Sequence, residues 1–178
     1  GAGPLLINAI HDIDLLRHLC GEIVAVQAMA SNARRGFAVE DTAAILLSFA
    51  DGALGTLSVT DAAVAPWSWE QSSGENPAYP NAAQSCYLIA GDRGALSIPR
   101  LELWSQPDAL GWLDPLRVER EIARAGQDPL AAQLDQFVRV IRGQEAPLVS
   151  GRDGLRALEI IEAIRRAAAS GAQVEVTP

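Results

Sequence analysis

The dipeptide Asp51-Gly52, set between the apolar runs 43–49 and 53–60, constrains this chain more than any other feature. Asp-Gly between two strand-like runs marks a tight hairpin, because the turn demands positive φ and glycine adopts it without a Cβ clash. The two runs therefore predict antiparallel neighbours. A chain with such a pair in its first third does not read as a doubly wound series of parallel βαβ units.

The remaining pattern fits around that hairpin. Leu6, Ala9, Ile10, Ile13, Leu16 and Cys20 recur at spacings of three and four, which predicts a helix over 5–20 stopped by Gly21. Residues 22–30 read as a strand, with Val24, Val26 and Ala28 on one face and Ala25, Gln27 and Met29 on the other. Residues 62–85 have no period but carry Pro66, Trp67, Trp69, Gly74, Pro77, Tyr79 and Pro80, the composition of an ordered functional loop. Strands follow at 86–90 and 95–98 around Gly91-Asp92-Arg93-Gly94, then at 101–105 and 117–122. Two helices close the chain, one with Leu130, Leu134, Phe137, Val138 and Ile141 on a face, the other with Leu155, Leu158, Ile161, Ile164 and Ala168. Asp153 or Ser150 can cap the second, and Gly171 ends it before a short strand at 173–176. The class is α+β with a largely antiparallel sheet. At 178 residues and 49% hydrophobic, one domain over 1–178 is the expectation.

Charge and residue usage exclude several functions. Twenty-two acidic against fourteen basic side chains, net −8, argue against nucleic-acid or membrane phosphates as partners. All fourteen basic residues are arginine, so Schiff-base chemistry, a P-loop lysine and any lysine acid or base are absent. Cys20 and Cys86 lack CxxC spacing and read as reduced thiols. With no signal-like or membrane-length apolar stretch, the expected location is the cytoplasm. A dinucleotide fingerprint GxGxxG between strand and helix is not found, since Gly1-Ala2-Gly3 has no strand before it and 91–94 joins two strands.

His11 is the leading candidate for chemistry. Asp14, three residues on, shares its side of a helix and can tune or orient it, whereas Asp12 points elsewhere. The pattern fits a general acid/base imidazole or a histidine hydrogen-bonded at a helix surface. His18 reads as an intrahelical partner of Asp14. A metal centre fails, because His11, Asp12, Asp14 and His18 cannot all converge on one ion from different sides of a helix. In the aromatic loop, Trp67, Trp69, Glu70, Glu75, Asn76 and Tyr79 combine flat apolar faces with amides and carboxylates, which suits a sugar or polyol and equally suits a loop packed on itself or on another subunit.

The opening Gly1-Ala2-Gly3, the His11-Asp12-Ile13-Asp14 motif and the closing Leu19-Cys20-Gly21 together resemble the start of the C-terminal domain in the Gfo/Idh/MocA oxidoreductases, the glucose-fructose oxidoreductase and inositol dehydrogenase family. Asp41-Thr42-Ala43-Ala44, residues 91–96 and 151–160 fit the same pattern, so the resemblance spans the chain. It implies an open antiparallel sheet with helices on one face, like the C-terminal domain of glyceraldehyde-phosphate dehydrogenase. It implies substrate binding and dimerisation within an NAD- or NADP-dependent dehydrogenase acting on a sugar, polyol or related hydroxy compound. His11 is then the proton acid/base, Asp14 its tuner, and Asn8, Trp67, Trp69, Glu75, Asn76 and Tyr79 the substrate-binding set. The cofactor would be held mainly by an N-terminal Rossmann domain absent from this chain, which alone would be inactive, and the exposed sheet face would pair subunits into a dimer or tetramer. Two departures stand out: Ile7 occupies the position of the family's aspartate four residues before the histidine, with Asn8 adjacent, and the family's lysine has no counterpart. The alternative is a non-catalytic ligand-binding or assembly module with the same fold.

Overall fold

In the computed structural model, residues 2–106, 111, 113–120 and 128–177 are described. They form two compact units, one of residues 1–63 with 147–178 and one of residues 64–146.

The first unit grows from the hairpin. Strands β2 (Thr42–Phe49) and β3 (Leu54–Thr60) pair antiparallel about the Asp51-Gly52 turn, where Gly52 has φ of 92°. Strand β1 (Ile23–Ser31) joins the other side of β2, and β8 (Val174–Glu175) pairs with β1, giving the order β3-β2-β1-β8. An irregularity between Ile23 and Ala25 changes the facing of β1. Ile23, Ala25 and Val26 are all buried, where strict alternation would turn Ala25 outward.

The helix expected over 5–20 is in two parts, a π-helical turn Leu5–Ala9 running directly into α1 (Ile10–Cys20). Leu5, Ala9 and Ile13 pack inward, and Gly21 terminates the helix with φ of 92°. The amide of Leu5 donates to Glu40 Oε1 at 3.0 Å, so a carboxylate reached from the far end of the next loop satisfies the helix start. Gly3 permits this approach, because a Cβ there would strike the Glu40 carboxylate and lie 2.7 Å from its carbonyl oxygen. Gly3→Ala is therefore expected to cost about 1–3 kcal/mol in urea unfolding, and an unchanged midpoint would mean that the loop moves freely out of the way.

Helix α4 (Gly151–Ser170) covers the same sheet face. Ser150 and Asp153 form a reciprocal capping box, so both residues expected as candidates act together. The face that α4 buries differs from the expected stripe. Ala157, Ile160, Ile161, Ala163, Ile164 and Ala167 are buried, while Leu155 and Leu158 point outward. The small residues Ala157, Ala163 and Ala167 let the helix lie close to the sheet, and that close contact outweighs the larger leucines in setting its rotation.

The second unit holds a separate antiparallel sheet, β4 (Tyr87–Ala90), β5 (Gly94–Ile98), β6 (Glu102–Ser105) and β7 (Arg117–Arg120), in chain order. The strand expected over 117–122 is described only to Arg120; its last two residues lie outside the described ones. The aromatic segment contains a short helix α2 (Trp69–Ser73), capped by Ser68. Helix α3 (Pro129–Ile141) is capped by Asp128 with proline in its first turn. Its apolar stripe of Leu130, Leu134, Phe137 and Ile141, which the period marks as a buried face, is exposed. Nothing in the described residues explains what covers it.

Candidate active site

The π turn and α1 carry Asn8, His11 and Asp14 on one continuous helical element. Asn8 and His11 are exposed, and Ile7, beside them, is also exposed. Among the described residues the His11 imidazole has no hydrogen-bond partner, so it is free to take a proton from a ligand or give one to it. A π turn immediately before such a side chain is a common feature of functional sites, because the extra residue re-aims the groups that follow. The sequence pattern missed this turn; its apolar spacing of three and four is compatible with either helix type.

Asp14 is aimed at an arginine. Its Oδ1 lies 3.4 Å from Arg17 Nη1, one turn further along α1. Arg17, with 8% of its side chain exposed, is also held by Glu22 through bonds of 3.1 and 2.6 Å and donates to the Asp153 carbonyl at 3.1 Å. Arg156 of α4 continues the network, donating to Glu159 at 2.8 Å and to the Thr177 carbonyl at 2.6 Å, with its second terminal nitrogen 3.6 Å from Glu22. These contacts fasten α1 to α4 and to the chain's last strand. Sequence reading found the arginines but not their cluster, since Arg17 and Asp153 are 136 positions apart.

The network shapes the acid response. The Arg17 guanidinium holds the Glu22 carboxyl below its ordinary 4.5, and the Ser150 hydroxyl and amide hold Asp153 below 3.8. Asp41 is lowered as well, chiefly by the Arg35 amide, with help from the Thr42 hydroxyl and the Arg34 amide. A carboxyl depressed in the folded state contributes stability that is complete above its unfolded value and is lost as pH falls through the folded one. Thermal unfolding midpoints should thus hold level from pH 7 to about 5 and fall below about 4.5. A midpoint unchanged at pH 3 would refute these pairings. Burial raises the Cys20 thiol, so it is a poor nucleophile.

The loop candidates lie in the second unit. Trp69 donates from Nε1 to Glu75 Oε2 at 2.9 Å and meets Tyr87 edge to face at 6.1 Å between centroids. Asn76 accepts from the Ala78 amide at 3.0 Å, and its carbonyl from Tyr79. Trp69, Glu75 and Asn76 thus spend their polar groups on building the loop, whereas Trp67 and Tyr79 keep exposed rings. His18 is exposed, and the expected Asp14–His18 pair is replaced by Asp14–Arg17.

Two grooves of the first unit, of about 290 and 390 Å³, flank Glu40, the first between the π turn and α4 with Arg165 at its wall, the second beside Arg35 and Asp61. Neither is lined by Asn8, His11 or Asp14. Among the described residues no cluster of histidine, cysteine or carboxylate side chains could hold a metal ion, and no helix is long and apolar enough to cross a membrane.

Two antiparallel sheets with helices make this an α+β chain. The chain belongs to the Gfo/Idh/MocA oxidoreductase family as its C-terminal alpha/beta domain, whose family model matches residues 1–176. No curated protein matches. Similar solved structures include the WlbA dehydrogenase from Bordetella pertussis in complex with NADH and UDP-GlcNAcA, 24% identical with a TM-score of 0.68 over 99% of this chain and 46% of that one. An aldose-aldose oxidoreductase from Caulobacter crescentus complexed with glycerol is 26% identical, TM-score 0.70, over 98% and 48%. A levoglucosan dehydrogenase in complex with NADH and levoglucosan is 21% identical, TM-score 0.71, over 99% and 51%. The chain spans about half the length of the structures it matches.

Proposed function

We propose that this chain is the substrate-binding and subunit-pairing domain of an NAD- or NADP-dependent dehydrogenase acting on a sugar, polyol or related hydroxy compound in the cytoplasm. The observation that carries this is an exposed imidazole, His11, without a hydrogen-bond partner among the described residues, at the start of α1 in a domain of an oxidoreductase family. His11 accepts the proton of the substrate hydroxyl as the carbinol carbon loses hydride, and returns it in the reverse direction. Asp14, one turn on, tunes it through its own bond to Arg17. Asn8 on the same element contributes a hydroxyl contact. In the second unit, the rings of Trp67 and Tyr79 and the loop shaped by Trp69, Glu75 and Asn76 carry groups that suit a sugar's faces and hydroxyls.

The nicotinamide cofactor supplies the hydride acceptor when bound. Gly91 and Gly94 bracket a strand–strand turn, and among the described residues no glycine joins a strand to a helix in the fingerprint arrangement. We accordingly give the cofactor to a separate Rossmann domain and expect turnover only when both are present.

The outer face of the first sheet supports pairing of subunits. Three of its cross-strand rows, Gln27-Leu46-Thr56, Met29-Ala44-Ser58 and Ser31-Thr42-Thr60, contain no charge. A flat, uncharged face with exposed Met29, Leu46 and Leu54 fits a two-fold copy of itself.

The test is absorbance at 340 nm with the full-length polypeptide, NAD+ or NADP+, and a panel of sugars, polyols and sugar acids. Reduction of cofactor with one of them is expected. Sugar binding by calorimetry without any cofactor reduction would favour the non-catalytic module, for which Ile7 beside His11 speaks.

A further inference from the structure

Along α1, His11, Asp14 and Arg17 follow at intervals of three, so Asp14 lies between an imidazole and a guanidinium that can each take its carboxylate. Arg17 is immobilised by Glu22 and the Asp153 carbonyl, while 37% of the Asp14 side chain is exposed and can change rotamer. In the structure Asp14 is turned to Arg17. The other ionisable groups near α1 are His18, exposed four residues past Asp14, Asp12, which has an interaction of its own, and Asp153 and Arg156 of α4, which lie on the Arg17–Glu22 side; the π turn has none.

Resting on the reading of His11 as the acid/base, we propose that Arg17 is a positioning residue that holds the Asp14 carboxylate on itself and away from the His11 imidazole. A carboxylate fixed on the imidazole would favour the charged form, which is the wrong state for a base. Arg17 thus ties one carboxylate to the job of joining α1 to α4 and spares His11 its field.

The test is NMR titration of His11 in the full-length polypeptide, with histidine 13C labels assigned through the His11→Asn spectrum. Arg17→Gln is expected to raise the titration midpoint by about 0.3 pH unit, the size of a one-turn helical ion pair. In that background Asp14→Asn should bring it back down by the same amount, while Asp14→Asn in the parent leaves it unmoved. A helix-fastening role alone would not make the Arg17 effect depend on residue 14. If Arg17→Gln fails to fold, Asp14→Asn in the parent decides: a drop of about 0.3 overturns the proposal, and no drop supports it. The titration needs no substrate, so its outcome is separate from turnover of His11→Asn, which tests the catalytic assignment.

Discussion

His11→Asn in the full-length polypeptide is expected to lower cofactor-coupled turnover by about 10²–10⁴-fold, the usual contribution of a positioned acid/base. Asparagine keeps a polar group of similar reach but cannot exchange a proton near neutral pH. Because His11 is exposed and makes no hydrogen bond among the described residues, the unfolding midpoint should stay within about 0.5 kcal/mol of the parent. Loss of rate without loss of stability separates a chemical role from a structural one. A variant that retains full turnover would remove His11 from the mechanism and leave the domain's contribution to binding alone.

Ile161→Ala is expected to cost about 2–5 kcal/mol in chemical denaturation, a large share of the roughly 5–15 kcal/mol that holds a domain folded. Ile161 is 0% exposed in the core that α1, α4 and the first sheet share, and the interior cannot close fully around the space the side chain leaves. Leu155→Ala, on the same helix but more than half exposed, should cost under about 1 kcal/mol. The contrast matters because the sequence period places both residues on one stripe. Equal losses at the two positions would mean that α4 packs as the period suggests.

The candidate site is partly legible as a local pattern: His11 and Asp14 stand three residues apart, and the structure carries both on α1. That Asp14 faces Arg17 is not legible, because Arg17 is fixed by Asp153 from the far end of the chain. In the loop, Trp67 and Tyr79 kept the exposed rings expected of them, whereas Glu75 and Asn76 close turns and hold Trp69. Composition identifies groups that can bind a hydroxyl; it does not say which have been used by their neighbours.

The sequence by itself determined the features whose causes lie within a few residues: the Asp51-Gly52 hairpin, the stops at Gly21 and Gly171, the Ser150–Asp153 cap, and with them the order of helices and strands. Only the tertiary structure decided the π turn before His11, the rotation of α4, the division of the strands into two sheets and the arginine network. Each of these depends on which distant surface a residue meets. Glu40 capping Leu5 across thirty-five positions and alanines letting α4 approach the sheet are contacts between parts of the chain that no local period encodes.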